Sequence, residues 1–334
     1  MPRLSVNLLR WNTKWEDVRA VMDAALIQTY QDFELVYSEN GDPKLIDQVR
    51  EYYKNNPKVR VVDNGGNLGF APGQNKFFAE AKTELVMLLN PDAVMTPTFI
   101  EELIKAFDDP KVGAATGKMI KPEKNEKGET IIDGTGIIIY KSRRARERGQ
   151  LEADHGQYDS QNNVFGVSGS APIYRRSALD AAAVNGEYFD PEFFAYWEDL
   201  DLSWRLQLAG FEARYMPKAI IYHERAVGVS PGGYKKLFTF VKHHAKFPVK
   251  VRRWNWRNHL FCIVKNDFGW NFWKSFPRVL VRETAMLGYI TIFEPRTLGA
   301  IPDFFHLLPK MLAKRSVIQK NRKVTSKQME KWFI

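Results

Sequence analysis

The feature that most constrains the fold is an alternation near the start of the chain, where short apolar runs are separated by segments of helical periodicity. LSVNLLRW (4–11) reads as a strand, and WEDVRAVMDAALIQTY (15–30) sets Val18, Val21, Met22, Ala25 and Leu26 on one helical face. FELVYSE (33–39), the Pro43-led PKLIDQVREYYKNN (43–56), KVRVVDN (58–64), GQNKFFAEAKT (73–83) and ELVMLLNPDA (84–93) continue the pattern. This predicts an α/β fold, a mostly parallel sheet with helices on both faces. Ligands of such open sheets sit at the carboxyl ends of the strands, here SENGD, DNGGNLGFAPG and NPDA.

With 334 residues and 44% hydrophobic content, the chain can bury a full-sized core. Its single cysteine, Cys262, excludes an internal disulfide framework and reads as inert packing. MPRLSVNLLRWN lacks the apolar core of a signal peptide, which predicts a cytoplasmic protein.

The net charge of +10 is unevenly divided: residues 230–334 carry 21 Lys and Arg against 5 Asp and Glu, and residues 1–229 carry 28 against 34. Two parts are therefore expected, a binding and catalytic body over 1–229 and a basic extension over 230–334. Five of the nine tryptophans fall in the extension, yet its best apolar stretch, Val279 to Phe293, contains Arg282 and Glu283 and is too short and charged to span a bilayer. A largely helical extension lying on an anionic membrane surface fits this composition. An RNA-binding surface is the rival, because cations neutralise phosphates and rings stack on bases, but it leaves the strand-end motifs unused and is set aside. Residues 121–163, polar and Gly-rich, read as a long mobile excursion, after which VFGVSGSAPIYRR (164–176) resumes a strand.

Several stretches carry candidate chemistry. LLNPDA ends a strand with Asn90 and Asp92 two apart and pointing the same way; one carboxylate there suits a divalent cation, or else it caps a turn. NGGNLGFAPGQN (64–75) opens a helix with glycines that let backbone amides approach an anion, or it is a plain loop. In EFFAYWEDLDLSWRLQLAGF (192–211), a helix starting near Glu198 pairs Asp201 with Arg205 and leaves Glu198 and Asp199 in the first turn against aromatic rings. A carboxylate whose ionisation is resisted by apolar rings is suited to general-base work, although acidic residues are favoured at any helix N-terminus. PKAIIYHERA ends a strand in His223, which gains meaning only beside Asp92.

Taken in order, NLGFAPGQN, LLNPDA, GSAPIYRR, YFDPEFFAYWEDLDLSWRLQLAGF and PKAIIYH resemble the inverting nucleotide-sugar glycosyltransferases of family two, in particular their rhamnosyltransferase-like branch, over roughly residues 3–260. The resemblance implies a GT-A type fold and transfer of a sugar, rhamnose from a dTDP donor in the first instance, to a glycan or polyprenyl-diphosphate-linked acceptor, with Mg2+ or Mn2+ as cofactor. It implies Asp199 as catalytic base with Glu198 beside it, and Asp92 with His223 as metal ligands. The first carboxylate of the family's Asp-X-Asp motif is here Asn90. Glu39 stands where relatives carry an Asp that recognises the base. Asn67, Gly69, Gly73 and Asn75 fall in the donor-binding loop, and Arg257-Asn258 resembles a motif with a diphosphate contact. Expected partners are a nucleoside-diphosphate sugar and the inner face of the plasma membrane, with no nucleic acid. A sugar nucleotidyltransferase on a similar sheet is the remaining alternative and predicts release of pyrophosphate.

Overall fold

The computed structural model describes residues 1–224 and 237–334. Strands β1 (Leu4–Arg10), β2 (Phe33–Glu39), β3 (Val59–Asp63) and β4 (Leu85–Leu89) alternate with helices α1 (Trp15–Leu26), α2 (Lys44–Tyr52) and α3 (Phe70–Glu80). There follow β5 (Ala93–Met95), α4 (Phe99–Ile104), β6 (Val112–Ile120), β7 (Ile132–Gly134), β8 (Ile137–Ile139), β9 (Ala145–Glu147), β10 (Asn163–Val164) and β11 (Ile173–Arg175). Next come α5 (Arg176–Ala182), α6 (Glu198–Leu208) and β12 (Glu212–His223), then α7 (Leu237–Ala245), α8 (Val249–Asn266), α9 (Gly269–Phe293), α10 (Ala300–Asn321) and α11 (Ser326–Glu330).

The principal sheet runs β10-β12-β6-β11-β4-β1-β2-β3. Its long pairings, β1 with β2 and β4, β2 with β3, and β6 with β12, are parallel, while the short β11 runs antiparallel between β4 and β6. β1 and β4 are buried along their whole lengths, as expected of strands covered on both faces. α1 and α4 pack on one face through Val18, Met22, Phe99 and Leu103; α3, α5 and α6 cover the other through Phe78, Leu179 and Leu202.

Two sequence expectations are corrected. Residues 121–163 are not a mobile excursion: β7 pairs with β6, β8 pairs with β9, and Asp133, Thr135 and Arg143 are buried. Two cations of the basic run KSRRARERGQ are buried, Arg143 2.7 Å from Asp267 and Arg148 bonded to Thr135 O and Gln161 O at 3.0 and 2.9 Å. Residues 164–176 do not form one strand either. Chain between β10 and β11 leaves the ladder, which frees residues 168–170 to face a cleft.

The C-terminal part is largely helical and packs on the body through a shared core that joins Leu200 and Trp204 of α6 to Phe261, Met311 and Phe333. The expected boundary at 229/230 lies outside the described residues. Beneath this core a buried ionic cluster links α6, α8 and α10: Lys265 Nζ lies 2.6 Å from Asp190 and 2.9 Å from Asp201, Arg205 lies 3.0 Å from Asp201, and Lys314 lies 2.6 Å from Asp190. Cys262 is buried beside Trp197 O, and burial pushes its thiol up, which suits packing rather than reactivity. Among the described residues, no helix is long and apolar enough to cross a membrane.

Candidate active site

Sheet register assembles the site at the carboxyl edge. After β4 the chain turns through Asn90, Pro91 and Asp92, with Ala93 N donating to Asn90 O at 3.1 Å. β5 then pairs with β12 so that Ala93 faces His223, which sets the histidine beside Asp92. His223 Nε2 is 3.4 Å from Asp92 Oδ1, and its Nδ1 is 2.8 Å from Oδ2 of Asp133 on β7. The carboxylate of Asp133 against Nδ1 suits the tautomer that carries its proton there, which leaves Nε2 facing Asp92.

Asp199 closes the opposite side. Asn90, Asp92, Glu198, Asp199 and His223 line one open cleft of about 300 Å3, together with Phe70, Tyr196 and residues 168–170. Asp199 is half-buried and anchored by two amides, Gly169 N to Oδ2 at 3.1 Å and Leu200 N to Oδ1 at 2.7 Å. Glu198 is buried, and Oε2 has no hydrogen-bond partner. Burial first, then the neighbouring Asp199 charge, holds the Glu198 carboxyl well above the usual carboxylate range.

The loop that delivers these carboxylates is strained. Phe194, Tyr196 and Trp197 have φ of 61°, 71° and 73°, a region costing non-glycine residues on the order of 1–3 kcal/mol each. Asn258 on α8 over-determines it, donating Nδ2 to the carbonyls of Phe193, Ala195 and Tyr196 at 3.0, 3.1 and 2.9 Å. Phe194 O also accepts from Ala71 N at 3.0 Å, so the loop is tied to α3 as well. Of the four aromatics before Glu198, Tyr196 and Trp197 line cavities, whereas Phe193 stacks on Phe261 and Phe194 on Trp254.

The structure gives the other expected ligand residues the following surroundings. Glu39 is fully buried with both oxygens taken, by Arg10 and Gly41 N on one and Tyr37 on the other, because the β1–β2 register sets Arg10 opposite it. Asn75 spends its amide on Phe189 N and O at 2.8 Å each. Arg257 lies outside the cleft, bonded to Glu192 O at 2.6 Å and to Asn258 Oδ1, so it props the residue that pins the loop. Asn67 caps Gly69 N at 2.9 Å. Gly69, with φ of 93°, sits under the Phe194 ring, where a Cβ would come within 2.7 Å of it; Gly73 packs on Leu9. The glycines permit close approach and do not line the cleft. Sequence reasoning missed Asp133, whose only signal was a charge inside the otherwise apolar and small run IIDGTG.

Among the described residues, no three His, Cys, Asp or Glu side chains gather as a ligand cluster. Asp92 and His223 nonetheless fit a divalent cation. Asp92 Oδ1 is a buried atom with no hydrogen-bond partner, facing an imidazole whose ring is fixed from behind by Asp133. One carboxylate, one imidazole and room for diphosphate oxygens and water are suited to Mg2+ or Mn2+.

Comparison with known proteins agrees with this architecture. Over 200 residues the chain is 28% identical to N-acetylglucosaminyl-diphospho-decaprenol L-rhamnosyltransferase of Mycobacterium tuberculosis, a match covering 51% of this chain and 60% of that one. It is 26% identical over 216 residues to poly-beta-1,6-N-acetyl-D-glucosamine synthase of Staphylococcus epidermidis, covering 64% and 48%. The chain thus spans less than two thirds of the length of these curated relatives. Among solved structures, S. aureus TarS 1-349 superposes with a TM-score of 0.56 at 15% identity over 98% of this chain and 91% of that one. Mannosyltransferase PcManGT from Pyrobaculum calidifontis, in complex with GDP-Man and Mn2+, gives 0.54 at 14% over 96% and 86%. At those identities the likeness is one of fold, a mixed α/β GT-A-like sheet. The family model described as glycosyl transferase family 2 matches residues 11–182, and the chain belongs to that family.

Proposed function

We propose that the protein is an inverting, metal-dependent glycosyltransferase of cell-surface polysaccharide synthesis, taking rhamnose from a dTDP donor to a glycan or polyprenyl-diphosphate-linked acceptor. The observation that carries the reading is the convergence of Asp92, His223 and Asp199, from three remote segments, on one cleft at the carboxyl edge of the sheet. Asp199 accepts the proton of the acceptor hydroxyl; the oxygen bonds to the anomeric carbon from the face opposite the nucleotide, and the bond from that carbon to the diphosphate breaks. Asp92 and His223 would hold Mg2+ or Mn2+, which would supply positive charge to the departing nucleoside diphosphate. Glu198 stands beside Asp199 with its carboxyl held above the usual range by burial and then by the Asp199 charge, and Asp199 itself is positioned by the amides of Gly169 and Leu200.

The donor sugar and the acceptor are suggested by the rhamnosyltransferase relative. Membrane association is supported by α9, where Trp270, Trp273, Leu280, Val281 and Leu287 recur at helical spacing on the exposed side, flanked by Lys274 and Arg278. That face and the basic tail support a peripheral site on the inner face of the plasma membrane, each near-surface cation contributing about 1 kcal/mol.

Incubation with a panel of nucleoside-diphosphate sugars, Mn2+ and lipid-linked or glycan acceptors tests the reading. Nucleoside diphosphate release that Asp199→Asn abolishes is expected. Release of pyrophosphate, or equal turnover by the variant, overturns it.

A further inference from the structure

A basic pocket of about 530 Å3 lies between the first half of α8, the 3-10 turn Pro295–Gly299 and the start of α10. It shares no lining residue with the Asp199 cleft. Lys250, Arg253, Arg257 and Arg296 line it against one carboxylate, Asp303, a net formal charge of +3. Among the described residues none of these four cations has an ion pair, and residues 225–236 carry no Asp or Glu that could supply one. Two further carboxylates act on Arg257, Glu192 and Asp190, but Glu192 is paired with Lys310, and Asp190 with Lys265 and Lys314.

Arg257 differs from the other buried arginines among the described residues. Arg10, Arg143, Arg148 and Arg205 bond through all three guanidinium nitrogens. Arg257 bonds through Nε and Nη2, while its Nη1 has no partner and stays accessible. On a cation shielded from most of the solvent, such a nitrogen attracts an anion more strongly than an exposed one does. Arg253 is held in place, since Nε donates to Arg296 O at 2.8 Å and the guanidinium lies on Gly299, where a Cβ would collide with it. α8 opens at Val249 on the pocket wall, and no side chain caps its first amides, which adds the partial positive charge of a helix N-terminus. Three guanidinium groups, an ammonium and a helix start match phosphate oxygens, which accept paired N–H donors; a lone carboxylate would offset one charge of the three.

We infer that this pocket is a phosphate site separate from the catalytic cleft, taking a phosphate monoester or diphosphate, free or carried on a lipid headgroup. It backs the loop before Glu198: Trp254 stacks on Phe194 with centroids 4.4 Å apart, Lys250 Nζ lies 5.3 Å from the Phe194 ring, and Arg257 holds Glu192 O. The inference stands whether or not Asp199 is the base. Titration of the full chain with glycerol phosphate and inorganic diphosphate, without metal, tests for a free anion. Flotation with phosphatidylcholine vesicles holding phosphatidic acid or, at equal surface charge, phosphatidylserine tests for a headgroup. Lys250 and Arg296 are exposed and donate no side-chain hydrogen bond to a described residue, so the paired variant Lys250→Gln with Arg296→Gln is expected to fold, and Arg253→Gln is a second probe. Lys320→Gln with Lys323→Gln removes the same charge from exposed positions elsewhere, and Asp92→Asn alters the cleft.

At least one phosphate ligand binds the unmodified chain. The Lys250 and Arg296 pair of substitutions weakens binding about tenfold or more, and Arg253→Gln severalfold. The Lys320 and Lys323 pair weakens it far less, and Asp92→Asn leaves it unaltered. Uptake of the soluble anions identifies a free ligand; binding confined to vesicles, with phosphatidic acid preferred over phosphatidylserine, identifies a headgroup. Four results overturn the assignment: no phosphate ligand bound, vesicle binding alone with no preference between the two lipids, a loss in the Lys250 and Arg296 pair no greater than in the Lys320 and Lys323 pair, or dependence on Asp92. If Asp199→Asn still transfers sugar while the pocket variants lose phosphate, the catalytic reading fails and the pocket stands.

Discussion

Nδ1 of His223 lies 2.8 Å from Oδ2 of Asp133, a buried carboxylate that reaches the site from a separate short strand. Such a partner fixes the ring of a metal-binding histidine and raises its basicity. Asp133→Asn therefore weakens Mn2+ binding by about 10–100-fold. Titration of the free ion by electron paramagnetic resonance measures this directly; unaltered affinity removes Asp133 from the role.

Asn258 holds three carbonyls of a loop whose backbone is left-handed at Phe194, Tyr196 and Trp197. Replacing Asn258 with Ala strands those carbonyls and releases the loop. A loss of about 1–3 kcal/mol in denaturant unfolding is expected, with a larger fractional loss of turnover. A variant as stable and active as the parent contradicts the assignment.

Glu198 gives a pH signature. Its folded-state pKa is raised above the unfolded value by burial and by Asp199, so the protonated form is favoured in the native state. Ionisation then opposes folding once the pH exceeds the ordinary carboxylate range, and the loss grows until the raised pKa is passed. Glu198→Gln, which cannot ionise, is expected to match the parent in stability near pH 4 and exceed it at pH 7. Equal denaturation midpoints at both values contradict this.

Lys265 is buried between Asp190 and Asp201. Burial tends to raise the Asp190 carboxyl, but Lys265 and Lys314 hold it well below the usual range, so its stabilising contribution is present above the ordinary carboxylate pKa and lost as pH falls below it. Removing one partner of such a cluster costs about 3–5 kcal/mol. Lys265→Met is expected to lose that much at pH 7 by urea unfolding; a loss under 1 kcal/mol would mean the cluster is not coupled.

Much of the fold is legible because burial on both faces of a parallel sheet writes itself as apolar runs: β2 is FELVYSE, and β4 lies within ELVMLLNPDA. The Glu198 and Asp199 block is legible too, since a helix start, a breaking Gly210 and clustered rings are local features. What escaped depends on register. Nothing in SENGD tells that Arg10 lies across from Glu39 and neutralises it, nor that Tyr37, two residues earlier on the same face, takes the other oxygen. Asp133 was hidden for the same reason: its partner His223 is 90 residues away, and only the stacking of β7, β6 and β12 brings them together. Asn75 and Arg257 are polar residues near binding segments that bond within the protein, Asn75 to the amide and carbonyl of Phe189 and Arg257 to Glu192 O and Asn258 Oδ1, a use that composition does not distinguish from ligand binding.

Anomalous diffraction from crystals grown with a nucleoside diphosphate and Mn2+ tests directly whether Asp92, His223 and Asp199 form one metal-assisted transfer site. A manganese peak bonded to Asp92 and His223 in the cleft that Asp199 faces is expected. A peak held by other residues, or nucleotide bound with Asp92 and His223 untouched, contradicts it.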